Sequence, residues 1–166
     1  MPNPSILGLI SGVGTVVDVV VPTCSTKAYL ASENFGLVIV DVAVPTTPEV
    51  LGSQHPVEKG GHLAVSTEKN LAIVVGVGAD TTARTNIVDI TDSTYPKVIS
   101  SIPGASGDAA FIGNYAYVVA GGDVKVIDIT NPSSPQVVTT LVTPGIASGI
   151  ATSENLAVVS DAFSGM

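Results

Sequence analysis

The chain has 166 residues, 45% of them hydrophobic and only 12% charged, with a formal charge of −8. That length fits one domain, which can bury roughly 70% of its unfolded surface in a single core, so no second domain is expected. The six basic residues, Lys27, Lys59, Lys69, Arg84, Lys97 and Lys125, stand singly, whereas phosphate neutralisation needs clusters, which argues against nucleic-acid binding.

Met1 to Val17 carry no charged side chain. They have no basic leader and are interrupted by Pro2 and Pro4, so they read as structure rather than as a signal peptide. Pro4-Ser5-Ile6-Leu7-Gly8 aligns with Pro48-Glu49-Val50-Leu51-Gly52 further on, which predicts that the chain opens on an isolated outer strand. A single cysteine, Cys24, excludes an intrachain disulfide and a thiolate cluster, and is expected to be a small buried residue.

Gly36-Leu37-Val38-Ile39-Val40-Asp41-Val42 returns as Asn86-Ile87-Val88-Asp89-Ile90 and as Val126-Ile127-Asp128-Ile129. Each aspartate is followed by a proline at the same spacing, Pro48, Pro96 and Pro135. A recurrence of this kind signals a stacked or radial repeat architecture. The units run over residues 14–54, 60–102 and 104–141, and a split repeat joins 145–166 to 1–10. Every unit reads as short strands. The first is Val19-Val20-Val21, Leu63-Ala64-Val65, Ala109 to Ile112, and Gly149-Ile150-Ala151 in the four repeats; the second is Ala28 to Ala31, Leu71 to Val75, Ala116 to Val119, and Leu156 to Val159. Asn70, Asn114 and Asn155 supply hairpin chemistry before the later three second strands. The third strand is apolar on both faces and so should be covered on both. Its aspartate caps the following turn, and the proline can open a fourth strand without losing a ladder donor.

Four-stranded units of about 40–45 residues, buried on both faces and without helical periodicity, predict an all-β fold: a β-propeller of antiparallel four-stranded blades, about three complete and a fourth split between the chain ends. No run approaches the ~20 apolar residues of a membrane helix.

Gly36 to Val42, Asp89-Ile90-Thr91-Asp92 and Asp128-Ile129-Thr130-Asn131-Pro132-Ser133-Ser134-Pro135 resemble the LVIVD-repeat family over nearly the whole chain. That resemblance implies a propeller, in an exported or surface-attached protein, and no particular chemistry. Such propellers close with more blades than the strands present here provide. The chain is therefore expected to be a fragment of a longer propeller, with a self-associating open ring or a two-chain ring of eight blades as the alternatives, since the third strand due at Gly165 does not follow. Self-association through unpaired blade edges is expected, and a protein partner is possible.

Asp18, His62, Asp108 and Ser148 share one slot at the start of the first strand, on the side that lines a propeller's channel. Two carboxylates and an imidazole there could bind a cation or move a proton. The competing use, bonding backbone groups between blades, is favoured because a slot repeated in every blade is first a scaffold feature. Asp41, Asp89 and Asp128 are read as turn caps. The connection Gly76 to Thr85 is longer than its counterparts and offers Asp80 and Arg84 as a binding loop. His55 is expected to be solvated. No catalytic residue, metal site or cofactor is assigned. The reading is a noncatalytic scaffold or protein-interaction module, with a channel-mouth metal-dependent binder or enzyme as the alternative; a sugar-binding surface is disfavoured by the absence of Trp.

Overall fold

A computed structural model describes residues 4–55, 59–105 and 107–162, which form fourteen strands and no helix. Blade 1 comprises β1 (Val16–Val20), β2 (Lys27–Ser32), β3 (Gly36–Asp41) and β4 (Glu49–Gln54). Blade 2 comprises β5 (Lys59–Ser66), β6 (Leu71–Val77), β7 (Ala83–Asp89) and β8 (Lys97–Pro103), and blade 3 β9 (Ala109–Ile112), β10 (Tyr115–Ala120), β11 (Asp123–Asp128) and β12 (Gln136–Leu141). Each is an antiparallel meander in sequence order. The fourth sheet has two strands among the described residues, β13 (Ala147–Ser153) and β14 (Leu156–Asp161). Every first, second, third and fourth strand expected within the three full repeats is present.

The hairpins follow from their turn residues. Asn70 takes the left-handed conformation (φ 52°) ahead of β6, whereas ahead of β10 and β14 that role falls to the residue before the asparagine, Gly113 (φ 53°) and Glu154 (φ 52°).

Blades stack through alternating faces. Tyr29, Ala31, Leu37 and Ile39, on the trailing face of blade 1, pack against Leu63, Ala72, Val74, Val88 and Ile90 on the leading face of blade 2. Ile73, Val75 and Ile87 on the reverse of blade 2 meet Ala109, Ala116, Val118 and Ile127 of blade 3. Blade 3 in turn packs through Ala110, Val119 and Val124 on Ala147 and Ile150 of β13. The repeated motif is thus buried on both sides because neighbouring residues of one strand serve two different interfaces: Leu37 and Ile39 face forward, Val38 and Val40 backward. Innermost strands touch in succession, β1 on β5, β5 on β9 and β9 on β13.

One expected strand is absent. Residues 4–8 have no ladder partner and are not a strand, and they lie against blade 1, at the opposite end of the row from β13 and β14. The expected split repeat is therefore not assembled among the described residues; its ends, 1–3 and 163–166, lie outside them, as does Gly165, where the missing third strand was to begin. A Cβ on Gly8 would collide with the Pro45 carbonyl and with Pro48, in the Asp-to-Pro turn of blade 1. Gly52 stands in the same relation to blade 2, where a Cβ would lie 2.6 Å from the Ser93 and Thr94 carbonyls. At the equivalent place on blade 2 Ser100 donates a hydrogen bond to the Pro132 carbonyl of blade 3. Residues 4–8 thus run in an outer-strand slot without the inner strands that would pair with them. Beyond them Ile10 and Val13 cover Ala28, Leu30, Val38 and Val40, so this segment caps the leading face of blade 1.

Thr85 is the exception to the apolar pattern. It lies fully buried in β7, opposite Val75, and its hydroxyl has no hydrogen-bond partner among the described residues. An unmade buried hydrogen bond costs stability, whereas a methyl of the same shape does not. Thr85→Val should stabilise the chain by about 1 kcal/mol and raise its melting temperature by roughly 2–4 °C; a lower melting temperature would show that the hydroxyl is satisfied.

Candidate functional site

The inner-strand slot is built on a repeated β-bulge. In β1, β5 and β13 the register slips by one residue just before the slot, between Val16 and Asp18, Gly60 and His62, and Ala147 and Gly149. The residue structurally equivalent to Asp18, His62 and Asp108 is therefore Gly149. Ser148 sits one position earlier, in the bulge, with its hydroxyl 3.0 Å from that of Ser160.

The two aspartates do the same thing two interfaces apart. Asp18 accepts the Val19 N–H on one oxygen (2.8 Å) and, on the other, the Leu63 N–H of blade 2 (2.8 Å). Asp108 accepts the Ala109 N–H (2.8 Å) and the Ile150 N–H of β13 (2.9 Å). His62 stands between them, its Nδ1 3.8 Å from Asp108. The backbone accounting closes in an alternating pattern. A blade whose slot holds Asp satisfies its own amide, and a blade whose slot holds His or Gly receives the oxygen of the preceding blade. Among the described residues no three His, Cys, Asp or Glu converge as metal ligands.

The turn aspartates take the expected geometry. Asp41 accepts the Ala43 N–H (2.8 Å), Asp89 the Thr91 N–H (2.9 Å) and Asp128 the Thr130 N–H (2.8 Å), each two residues on. Asp92 repeats the device on Thr94. Hydroxyl donation from Thr91, Thr94 and Thr130, then the N–H of the same residue, holds Asp89, Asp92 and Asp128 below the usual carboxylate range.

Asp80 and Arg84 are partners of one another. The Asp80 carboxylate accepts the Thr82 hydroxyl (2.6 Å) and pairs with the Arg84 guanidinium. These bonds, the Thr82 hydroxyl first, lower the Asp80 pKa to about 2. The connection is also shorter than the sequence implied, because β6 and β7 continue their ladder to Val77 opposite Ala83, and Arg84 is a strand residue.

All four depressed aspartates set one pH dependence. A lowered folded pKa stabilises the fold above the unfolded value, and that contribution is lost as pH falls through the folded value. The melting temperature, followed by circular dichroism, should hold down to about pH 4 and then fall towards pH 2. A value flat across that window would remove the turns from the stability account.

Other cations tie blades together. Lys27 donates to the Ser93 hydroxyl (2.6 Å), Lys69 to the Asn114 side chain (2.7 Å) and Lys125 to the Gly104 carbonyl (3.0 Å). Sequence reasoning missed these contacts, since nothing local marks partners 21 to 66 positions away. Between blades 1 and 2 an open groove is lined by Cys24, Lys27, Tyr29, Asn70 and Thr91, and burial pushes the Tyr29 hydroxyl pKa up. Cys24 is exposed rather than buried. It lies at φ 59°, as the third residue of a turn closed by the Ser25 N–H on the Pro22 carbonyl, where the chain has left β1. His55 is exposed, as expected.

Antiparallel four-stranded sheets stacked face to face with their first strands innermost define a propeller-type repeat scaffold. Residues 28–55 and 103–143 match the LVIVD repeat, so the chain carries that repeat in two segments. A comparison with curated proteins returns no match. The crystal structure of a functionally unknown protein from Desulfotomaculum acetoxidans DSM 771 is similar, with a TM-score of 0.55 over 95% of this chain and 67% of that one, at 14% identity. Hydrazine synthase from Kuenenia stuttgartiensis is similar with a TM-score of 0.62, over 86% of this chain, at 18% identity; the match covers 42% of that protein's chain. At these identities the likeness concerns the fold alone.

Proposed function

We propose that the chain is a noncatalytic scaffold that acts as a protein-interaction module through its blade edges and loop faces, with self-association as one form of that contact. One observation carries the reading: both carboxylates of the inner-strand slot are engaged by backbone amides on either side of a blade interface, which is the work of a scaffold. The family resemblance alone adds export or surface attachment to the proposal. Thermal denaturation of the parent and of His62→Ala, with and without millimolar Ca²⁺, Mg²⁺ or Zn²⁺, tests it. The expected result is a parent melting temperature indifferent to each cation. A rise in the parent that His62→Ala abolishes would favour a channel-mouth metal site instead.

A further inference from the structure

We propose that the open groove between blades 1 and 2 binds a small hydroxylated carboxylate, a ligand site that goes beyond the interaction reading above. Its floor departs from the repeat. At the next interface, the second-strand positions opposite Asp89 and Ile87 hold Leu71 and Ile73, 5% and 0% exposed and packed into an apolar cluster. In blade 1 the same positions, opposite Asp41 and Ile39, hold Lys27 and Tyr29. Tyr29 is 3% exposed and lies in one cluster with Leu63, Val88 and Ile90 of blade 2, yet its hydroxyl has no hydrogen-bond partner among the described residues. Unlike the Thr85 hydroxyl it is not sealed off, because Tyr29 lines the groove. A phenol at this position carries a largely desolvated donor that isoleucine would not, and an acceptor lodged in the groove would offset that cost.

The walls are polar and carry one sign of charge. The groove has a volume of about 330 Å³, and Lys27 is the one charged residue among those that line it. Its ammonium donates to Ser93 and keeps further donors for a ligand. Asp41, opposite Lys27 in the ladder, and Asp92, whose carboxyl the Lys27 charge helps to hold low, both stand outside the lining. One cation matches one negative charge, so a monocarboxylate fits where a phosphate dianion would leave charge uncompensated in a chain of net charge −8. The rest of the lining suits hydroxyl groups. Thr23, Thr26 and Thr67 present hydroxyls, and Asn70 a carboxamide, whose side chains bond to nothing else among the described residues. Thr23 and Thr26 belong to the longest connection of its kind in the three full blades: residues 21–26 link β1 to β2, against 67–70 in blade 2 and 113–114 in blade 3. That connection is pinned by the Ser25 N–H on the Pro22 carbonyl, by the Lys27 N–H on the Ser25 hydroxyl (3.0 Å) and by the Val42 N–H on the Thr26 carbonyl (2.8 Å). The wall is therefore in place before a ligand arrives.

The probe is D-gluconate, titrated by calorimetry onto the whole chain in metal-free buffer. Saturable one-to-one binding is expected. Sorbitol replaces the carboxylate by a hydroxymethyl group, and hexanoate keeps the carboxylate but loses the hydroxyls; each should bind about tenfold more weakly or worse. Tyr29→Phe removes only the unpartnered hydroxyl, so without ligand it should melt as the parent does, and it should bind gluconate about tenfold more weakly. A packing role for Tyr29 would leave that affinity unchanged. Lys27→Gln, which removes the cation, should weaken gluconate binding by a similar factor and leave sorbitol binding as it was. Cys24, the single cysteine, is exposed on the same lining, so saturating gluconate should slow its alkylation by iodoacetamide severalfold. Absence of binding at millimolar gluconate, equal binding of sorbitol or hexanoate, parent affinity in Tyr29→Phe or Lys27→Gln, or alkylation of Cys24 at an unchanged rate would overturn the site. Any of these results leaves the blade-edge reading standing, since that reading is decided by cation-dependent melting and not by gluconate.

Discussion

Ile73→Ala is expected to cost about 2 to 5 kcal/mol. Ile73 is fully buried at the interface of blades 2 and 3, where Ile87, Ala116 and Val118 surround it. Removing its branched side chain forfeits the transfer free energy and leaves a cavity, because two stacked sheets cannot close on one another without moving a whole blade. A chain of this size has about 5–15 kcal/mol in hand, so the variant should melt well below the parent in urea or heat. Val158→Ala, at the same position of the repeat in β14, should stay within about 0.5 kcal/mol, since its side chain already faces solvent. Equal losses at the two sites would mean that β14 is covered in solution.

The second large effect concerns Asp108. Asp108→Ala leaves two partly buried amides, those of Ala109 and Ile150, without their acceptor, at about 1–3 kcal/mol for each donor left unsatisfied. Asp18→Ala should cost less, because one of its two amides, Val19 N–H, is exposed and turns to water. Asn at either position retains one carbonyl acceptor and should fall between parent and Ala. The two sites serve different interfaces and share no partner, so the double Ala variant should be additive within about 0.5 kcal/mol. Denaturant unfolding of the series measures this. Asp108→Ala melting like the parent would show that the inter-blade carboxylate is dispensable.

What the sequence disclosed was whatever repeats or acts locally. The double-sided burial of Leu37 to Val40 was legible because no polar residue interrupts the run, and the turn caps because Asp41, Asp89 and Asp128 act only two residues ahead. Relations across a blade interface were not legible. The partner of Asp18 lies 45 positions away, and only the stacking distance brings it close. The bulge that sets Gly149 in place of Ser148 adds one residue without altering the pattern of small and branched side chains. Residues 4–8 matched an outer strand at Pro4, Leu7 and Gly8, yet a strand is defined by its partner, and the alignment contained none.

The alternation of Asp, His, Asp and Gly along the innermost strands gives the row of blades a parity. Excising blade 2 alone would bring the Asp18 carboxylate to an amide that Asp108 already serves, setting two negative charges against each other. Excising blade 3 alone would leave the Ile150 N–H facing an imidazole. Removing both together would hand the Asp18 oxygen directly to Ile150, the bond the chain already makes from Asp108. Such a protein gains or loses blades without penalty only in even steps, and its unit of growth is a pair.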